Sequence, residues 1–327
     1  MPEGKFVSVV IPNRNGAGTI EKCLKSVFAS KGVDFEAIVV DDCSEDRSVE
    51  VIGKFPCKII RFSRHQGAGA ARNAGAKESK GDFIFFTDSD CVLREDTLRR
   101  ALDSVSCNGG DAIIGGIYSV KPGDNGFFSR FQSAFVNHFE RKKTHPDYIA
   151  THALTIRARD FRESGGFPEA FLPILEDVAF SHRMRRAGYK LLANPDIQVS
   201  HIFNFGLFRS LKNAFRKSKY WTMYSLDNRD LLADSGTASF EIKLNGLAFF
   251  AMLLFALLSF WSPWFISGAG AAFSVNAALN RKLIGAFKRA GGPGFAVLSS
   301  LYYFFLYPAP VMAGGIAGVI SYLMRKR

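Results

Sequence analysis

In the stretch FFTDSDCVL, residues 85 to 93, Asp88 and Asp90 stand two positions apart directly after a run of large apolar residues. Left alone at the end of a buried strand, two like charges repel and the pKa of one of them rises. A divalent cation removes that penalty. Mg²⁺ or Mn²⁺ takes carboxylate oxygens together with substrate phosphates and keeps water in its remaining positions. A bare Asp-x-Asp is most often a solvated turn, so it is the place after DFIFF, not the tripeptide, that points to a metal. Cys91 beside the pair reads as a packed thiol.

Other polar residues fall at comparable places. Asp41 and Asp42 end the run EAIVVDD and begin DDCSEDRSVEV; one can cap the following turn, and the other can accept hydrogen bonds from a base edge or a ribose. Pro12-Asn13-Arg14-Asn15 closes another apolar run, and Ser89 lies between the paired aspartates. Asn13, Arg14 and Arg72, the last within GAGAARNAGA (67 to 76), offer donors for a diphosphate. The glycine spacing there, and its place after a third strand, do not match the dinucleotide fingerprint, which disfavours a dehydrogenase. Glu176-Asp177 lie near the start of LPILEDVAFSHRMRRAG (172 to 188). Carboxylates in a first turn commonly serve the helix dipole, which would lower the pKa of Asp177. An ionised carboxylate can still take a proton from an alcohol as a bond forms. His201, in IQVSHIF, is either a packed histidine or one that completes a metal shell or binds phosphate.

These residues need a frame to hold them. FVSVVIP (6 to 12), EAIVVDD (36 to 42), CKIIRF (57 to 62) and DFIFFTD (82 to 88) are short, nearly continuous apolar runs, separated by stretches of helical period such as TIEKCLKSVFAS and DRSVEVIGKF. That alternation predicts an α/β fold, a mostly parallel sheet with helices on both faces. Ligands of such sheets bind beyond the carboxyl ends of the strands, so the three polar strand ends should converge on one crevice.

With 327 residues, 47% of them hydrophobic, the chain can form one large or two ordinary domains. From His201 onward there are 14 Lys+Arg against 4 Asp+Glu, so ten of the net +12 charges lie there. This basic, apolar end reads as membrane-facing and the nearly neutral first part as the soluble body. Nucleic acid is disfavoured as a partner, because the basic residues are interleaved with Phe, Leu and Trp and followed by membrane-like segments. The five cysteines, Cys23, Cys43, Cys57, Cys91 and Cys107, form no Cys-x-x-Cys pair and read as reduced thiols of a cytosolic compartment. MPEGKFVSVV runs into a strand without a basic leader segment, so the body is expected at the cytoplasmic face of the membrane.

FFSRFQSAFVNHFERKK (127 to 143) sets Phe127, Phe128, Phe131, Phe135 and Phe139 at helical spacing. Such an aromatic face suits packing on the sheet, with a lipid or membrane-surface face as the alternative. LFRSLKNAFRKSKYWTMY (207 to 224) is a basic helix with an apolar aromatic stripe, suited to the headgroup boundary. LNGLAFFAMLLFALLSF (244 to 260) carries no charge and is followed by WSPW, a further apolar stretch to Asn280, and Arg281, Lys282, Lys288 and Arg289. A second apolar stretch from Phe295 to Met324 is broken by YPAP (307 to 310) and precedes Arg325-Lys326-Arg327. Two single crossings would put the 281 to 289 cluster outside. Two hairpins turning at the prolines keep both basic clusters inside, and are expected for that reason, although the arms of the second are shorter than the roughly 20 residues of a full span. The domain plan is thus a catalytic body over 1 to 205, an interfacial helical region over 206 to 240 and a membrane region over 241 to 327.

VSVVIPNRNGAGTIEKCLKSVFAS, AIVVDDCSEDRSVEVI, GAARNAGAKESKGDFIFFTDSD and SGGFPEAFLPILEDVAFSHRMRRAGYKL, in that order, resemble the family-2 glycosyltransferases of the GT-A fold over about residues 6 to 205. The resemblance implies transfer of a sugar from a nucleotide-diphosphate donor, with a Mn²⁺ or Mg²⁺ cofactor and inversion by direct displacement. Asp42, with Asp41, matches the position that contacts the nucleotide base, and Arg72 an arginine near the donor. Asp88 with Asp90 matches the Asp-x-Asp that binds metal and diphosphate. Asp177 of Glu176-Asp177 matches the base that deprotonates the acceptor, and His201 lies where many relatives carry a metal or phosphate ligand. Processive synthases of the family carry Gln-x-x-Arg-Trp, whereas this chain has Arg216-Lys-Ser-Lys-Tyr-Trp221, which favours a one-sugar transfer. An already ionised polyprenyl phosphate needs no base, so Glu176-Asp177 lean toward a hydroxyl of a lipid-linked or amphipathic acceptor. A polyprenyl-phosphate glycosyltransferase and a non-catalytic nucleotide-sugar-binding membrane scaffold are the alternatives. The intact set of Asp88, Asp90 and Asp177 speaks against the scaffold.

Overall fold

Apolar strands and amphipathic helices alternate along the first two hundred residues, and helices alone follow. The computed structural model describes residues 5–109, 111–169, 173–231, 234–236 and 238–325, so Met1 to Gly4, Ala170, Phe171, Leu172, Lys326 and Arg327 of the segments singled out above lie outside the described residues. The elements are β1 (Phe6–Asn13), α1 (Ile20–Phe28), β2 (Asp34–Asp41), α2 (Ser48–Ile52), β3 (Lys58–Arg61), α3 (Ala68–Lys77), β4 (Phe83–Phe86), β5 (Cys91–Leu93), α4 (Thr97–Cys107), β6 (Ala112–Tyr118) and α5 (Phe127–Glu140). They continue with β7 (Leu154–Arg157), α6 (Ala158–Glu163), α7 (Glu176–Arg186), β8 (Lys190–His201), α8 (Leu207–Asn228), α9 (Phe240–Leu258), α10 (Phe265–Leu279), α11 (Arg281–Leu301) and α12 (Pro308–Arg325). Contacts divide them into two units, Met1–Asn125 with Glu140–Asn204, and Gly126–Phe139 with Phe205–Arg327.

The first unit is built on an eight-stranded sheet of order β3-β2-β1-β4-β7-β6-β8-β5. β3, β2, β1 and β4 are mutually parallel, as their continuous apolar runs require. Beyond β4 the sheet is mixed: β7 runs antiparallel to β4 and β6, β8 is parallel to β6, and β5 is antiparallel to β8. Alternate residues of the central strands enter two cores. Val9, Ile11, Phe83 and Phe85 pack with Ile20, Leu24 and Leu98 on one face, while Val10, Ile84 and Phe86 pack with Phe161, Phe167, Phe180 and Met184 on the other. Gly75 lets α3 lie directly on β1 and β2, since a Cβ there would collide with Val10.

In the second unit α5 buries Phe131 and Phe135 against aromatic rings of the C-terminal helices. Phe131 meets Tyr302 edge-on at 4.8 Å and Phe287 at 5.2 Å, and Phe135 meets Tyr307 at 5.5 Å. Aromatic rings gain from edge-to-face partners beyond their buried area, and the C-terminal helices supply those partners. α9 and α10, joined across WSPW, pack together with Gly268 against the Phe255 ring. No reversal occurs at YPAP. A π-helical turn over Tyr302–Leu306 leads into α12 with helical angles at Tyr307, because a proline at the first position of a helix forfeits no hydrogen bond. The backbone break falls instead at Gly291 and Gly292, just before Pro293.

α12 crosses α8 closely through Gly314 and Gly318, where an added Cβ would strike the carbonyl oxygens of Phe215 and Lys219. Small residues four apart are the usual device for such approach between apolar helices. Replacing a helical glycine by alanine normally stabilises by about 1 kcal/mol. Gly314→Ala is expected to do the opposite, costing about 1–3 kcal/mol by overpacking, whereas Gly270→Ala on α10, with open space around its Cβ, follows the normal trend. Thermal unfolding in detergent checks this, and equal midpoints for the two variants would contradict it.

All large apolar side chains that are exposed among the described residues lie at Phe208 or beyond, with Phe260, Trp261 and Trp264 the barest at 91%, 89% and 85%. Two helical stretches, Phe240–Leu258 and Arg281–Arg325, are long and apolar enough to cross a membrane.

Candidate active site

Because β1 is flanked in parallel by β2 and β4, their carboxyl ends come together. Asn13 at the end of β1 donates from Nδ2 to Asp41 Oδ1 at 3.0 Å, and the Asp42 amide donates to the Asn13 carbonyl at 2.8 Å. Pro12 and Asn13 are buried, while Arg14 and Asn15 stand exposed at the crevice lip. Asp41 is the turn-former of the aspartate pair, accepting from the Ser44 amide at 3.1 Å and from the Ser44 hydroxyl at 2.5 Å. Asp42 holds the loop before α3, accepting from the amides of Gln66 and Gly67 at 2.7 and 2.9 Å with His65 Nδ1 at 2.7 Å. Ser89 lies opposite Gly16, at whose Cα a methyl group would come within 3.3 Å of the serine Oγ.

Arg72, on the face of α3 that meets the sheet, is 3% exposed. Its amino groups donate to Asp88 Oδ1 and to Glu176 Oε1, each at 2.6 Å. The side chain read from sequence as a diphosphate donor is in this structure a bridge between two carboxylates. Only Nε is left without a hydrogen-bond partner. Burial works against the charge on Arg72, but Asp88 and Glu176 more than restore it, so its pKa is raised. Burial likewise works to protonate Asp88, yet the adjacent Arg72 charge and hydrogen bond hold its carboxyl below the ordinary value.

Ligand atoms of Asp88, Asp90 and Cys91 lie within 4.8 Å of one another. His201 joins them through strand pairing: Cys91 is in register with His201 across β5 and β8, which sets His201 Nε2 3.4 Å from Asp90 Oδ1. Its ring is fixed by stacking on Phe203 at 4.0 Å. Two carboxylates and an imidazole form a donor set that fits Mg²⁺ or Mn²⁺. Cys91 does not suit such a hard ion, and burial pushes its thiol pKa well up.

Glu176 and Asp177 open α7 after Leu175, whose left-handed φ of 80° turns the chain into the helix. The helix dipole was expected to lower the pKa of Asp177. It is instead pushed up to about 7, chiefly by burial and then by the neighbouring Glu176 charge, against the pull of Arg72 and the Val178 amide. At this partly buried position, desolvation and a second carboxylate outweigh a dipole contribution of about 0.3–1 kcal/mol. Glu176→Gln removes the like charge, so the acid limb of the activity profile is expected to move to lower pH. A limb that stays in place would contradict this assignment.

Sequence reasoning missed a cluster beside Asp90 and His201. Tyr118 stacks on His152 at 4.0 Å and meets His201 edge-on at 5.2 Å, and Glu140 takes the Tyr118 amide at 2.7 Å while lying 3.5 Å from His152 Nε2. Three separate segments supply these residues, and none has a spacing that marks it.

The crevice at the ends of parallel strands, with an acidic cluster and a carboxylate of raised pKa, is that of a GT-A-like fold. The model of "Glycosyl transferase family 2" matches residues 8–162. The glycosyltransferase AglE of Haloferax volcanii is 30% identical over 222 residues, spanning 65% of this chain and 72% of that protein. A dolichol-phosphate mannosyltransferase of Pyrococcus furiosus is 34% identical over 122 residues, 36% of this chain and 34% of its own length. Among solved structures, the mannosyltransferase PcManGT of Pyrobaculum calidifontis, in complex with GDP-Man and Mn²⁺, superposes with a TM-score of 0.60 at 17% identity, covering 98% of this chain and 88% of that one. The chain belongs to glycosyl transferase family 2.

Proposed function

We propose that this chain is a membrane-attached, inverting glycosyltransferase that uses Mn²⁺ or Mg²⁺ to move one sugar from a nucleotide-diphosphate donor to a hydroxyl of a lipid-linked or amphipathic acceptor at the cytoplasmic face. The observation that carries the proposal is the Asp88–Arg72–Glu176 bridge, which ties the metal aspartates to the segment bearing Asp177. The GDP-Man and Mn²⁺ held by the Pyrobaculum enzyme agree with it. Asp88, Asp90 and His201 would hold the cation, which supplies Lewis-acid neutralisation of the departing diphosphate. Asp41 and Asp42 stand at the nucleoside end, with Pro12, Asn13, Arg14, Asn15 and Ser89 lining the donor crevice. Asp177 accepts the acceptor hydroxyl's proton as the oxygen attacks the anomeric carbon, and Arg72 holds Glu176 in place beside it. Attachment to a membrane is supported by the confinement of exposed large apolar side chains to residues from Phe208 on.

A second reading, with a polyprenyl phosphate as acceptor, draws on the Pyrococcus relative. Product stability separates the two: a sugar on phosphate is lost in mild acid and a glycoside of an alcohol survives. Donor binding is tested by thermal unfolding with nucleoside diphosphates, with and without Mn²⁺. A metal-dependent rise in midpoint is expected in the wild type and not in Asp90→Asn, since binding to the native state stabilises by mass action. A rise that is equal without metal would remove the metal from the reading.

A further inference from the structure

The two stretches long and apolar enough to cross a membrane differ in what surrounds them. Around the first, residues 244 to 280 carry no charge, and α9 turns back into α10 through WSPW. From 253 to 275 no residue is buried. Leu253 and Leu254, about 100° apart on α9, are both exposed, as are Ile266 and Val275 on α10, so the exposure runs around the pair and is not one stripe. Ser259, Ser267 and Ser274 donate to the carbonyls of Ala256, Trp264 and Gly270 at 2.6, 2.6 and 2.8 Å. Three asparagines gather at the base: Asn276 donates to Asn245 Oδ1 at 2.7 Å, Asn280 to Asn276 Oδ1 at 2.9 Å, and Asn245 to the Tyr303 carbonyl at 2.9 Å. Apolar surface on all sides, with these hydroxyls and amides bonded within the unit, suits hydrocarbon. A second copy of the chain would cover one face and leave the rest in water.

The second stretch ends in α12, which runs along α8 in the same direction. Gly314 and Gly318 meet the carbonyls of Phe215 and Lys219, Ser218 Oγ donates to the Val311 carbonyl at 2.6 Å, and Arg325 lies 3.8 Å from Asp227. A helix held along α8 in this way crosses a membrane only if α8 crosses with it. The longest uncharged run of α8, residues 220 to 226, spans about 10 Å, against the roughly 30 Å of a hydrocarbon core. α12 also keeps an apolar face exposed, with Ile316, Ile320 and Leu323 at helical spacing, as an interfacial helix does. We propose that α9 and α10 enter the bilayer as a hairpin tipped by Phe260, Trp261 and Trp264, while α12 lies in the membrane surface beside α8 and does not cross. The proposal rests on the membrane attachment read above and assigns insertion to one element.

Tryptophan fluorescence reads both halves of the proposal. The chain has three tryptophans, so Trp221→Phe leaves only the two at the tip. The full chain is reconstituted into phosphatidylcholine vesicles whose acyl chains carry bromine, a contact quencher, at a shallow, a middle or a deep carbon. Loss of emission relative to unbrominated vesicles is expected. Emission that persists, whether water or a second copy surrounds the tip, overturns the insertion. For α12, a single tryptophan is placed by Ile316→Trp or by Leu323→Trp in the Trp221→Phe/Trp261→Phe/Trp264→Phe chain. Both positions are exposed, at 59% and 57%, and lie seven residues apart, about 10 Å along the helix axis. In the membrane surface the two share one depth, so their quenching profiles should coincide, with the shallow bromine most effective. Maxima at different depths overturn the placement of α12. Flotation of the same vesicles separates this proposal from the reading beneath it. Protein that fails to float counts against membrane attachment itself and so against both, whereas protein that floats with an unquenched tip counts against the hairpin alone.

Discussion

Asp177→Asn is expected to lower kcat for transfer to a hydroxyl acceptor by about 100- to 10,000-fold, the usual contribution of a positioned base, with donor affinity little changed. The amide keeps the shape of the side chain and its place at the start of α7 but has no basic oxygen pair. The pH dependence carries a second signature. An acid with its pKa at about 7 is ionised above that pH, so wild-type activity should rise through neutrality and level off on the alkaline side. Asp177→Asn should lose that limb along with the rate. A variant that keeps wild-type kcat and the limb would remove Asp177 from the chemistry, and transfer to a phosphate acceptor would then be favoured.

Arg72→Met should strongly destabilise the first unit. It strips both carboxylates of their buried partner, and an uncompensated buried charge costs about 3–5 kcal/mol, roughly 10 °C in the midpoint for a unit of this size. Arg72→Lys keeps the charge but not the fork that reaches Asp88 and Glu176 together, so it should recover only part of the loss. The sign of the pH dependence follows from Asp88, whose pKa is depressed in the folded state. Its stabilisation is present above the unfolded value of about 3.9 and disappears as the pH falls through the folded one. The gap between wild type and Arg72→Met should therefore narrow in acid. A gap that stays constant there would mean that Arg72 acts through packing on Phe167, whose ring centre is 5.8 Å from the guanidinium, and not through charge.

The parallel half of the sheet was legible because β1, β2, β3 and β4 are continuous apolar runs that end in polar residues. The other half was not. β5 and β7 are three and four residues long, too short to show a period, and β6 carries Gly115 and Gly116 beside a register shift. The aspartates of the site were legible for the same reason as their strands. His201 could be singled out, but what brings it to Asp90 is the pairing of β5 with β8, which no local pattern announces. The raised pKa of Asp177 was misjudged because a helix dipole can be read from position alone, whereas burial and the facing Glu176 and Arg72 require the fold. The role of Arg72 needed the fold as well, since its two partners lie 16 and 104 residues away.

Direct displacement by an oxygen that Asp177 deprotonates leads to one stereochemical outcome. Proton NMR of the anomeric centre, following a donor of known configuration into product, reads that outcome before any mutarotation. The expected result is a product of inverted configuration, formed by the wild type and lost in Asp177→Asn. A product that retains the donor's configuration would contradict single displacement and the base role assigned to Asp177.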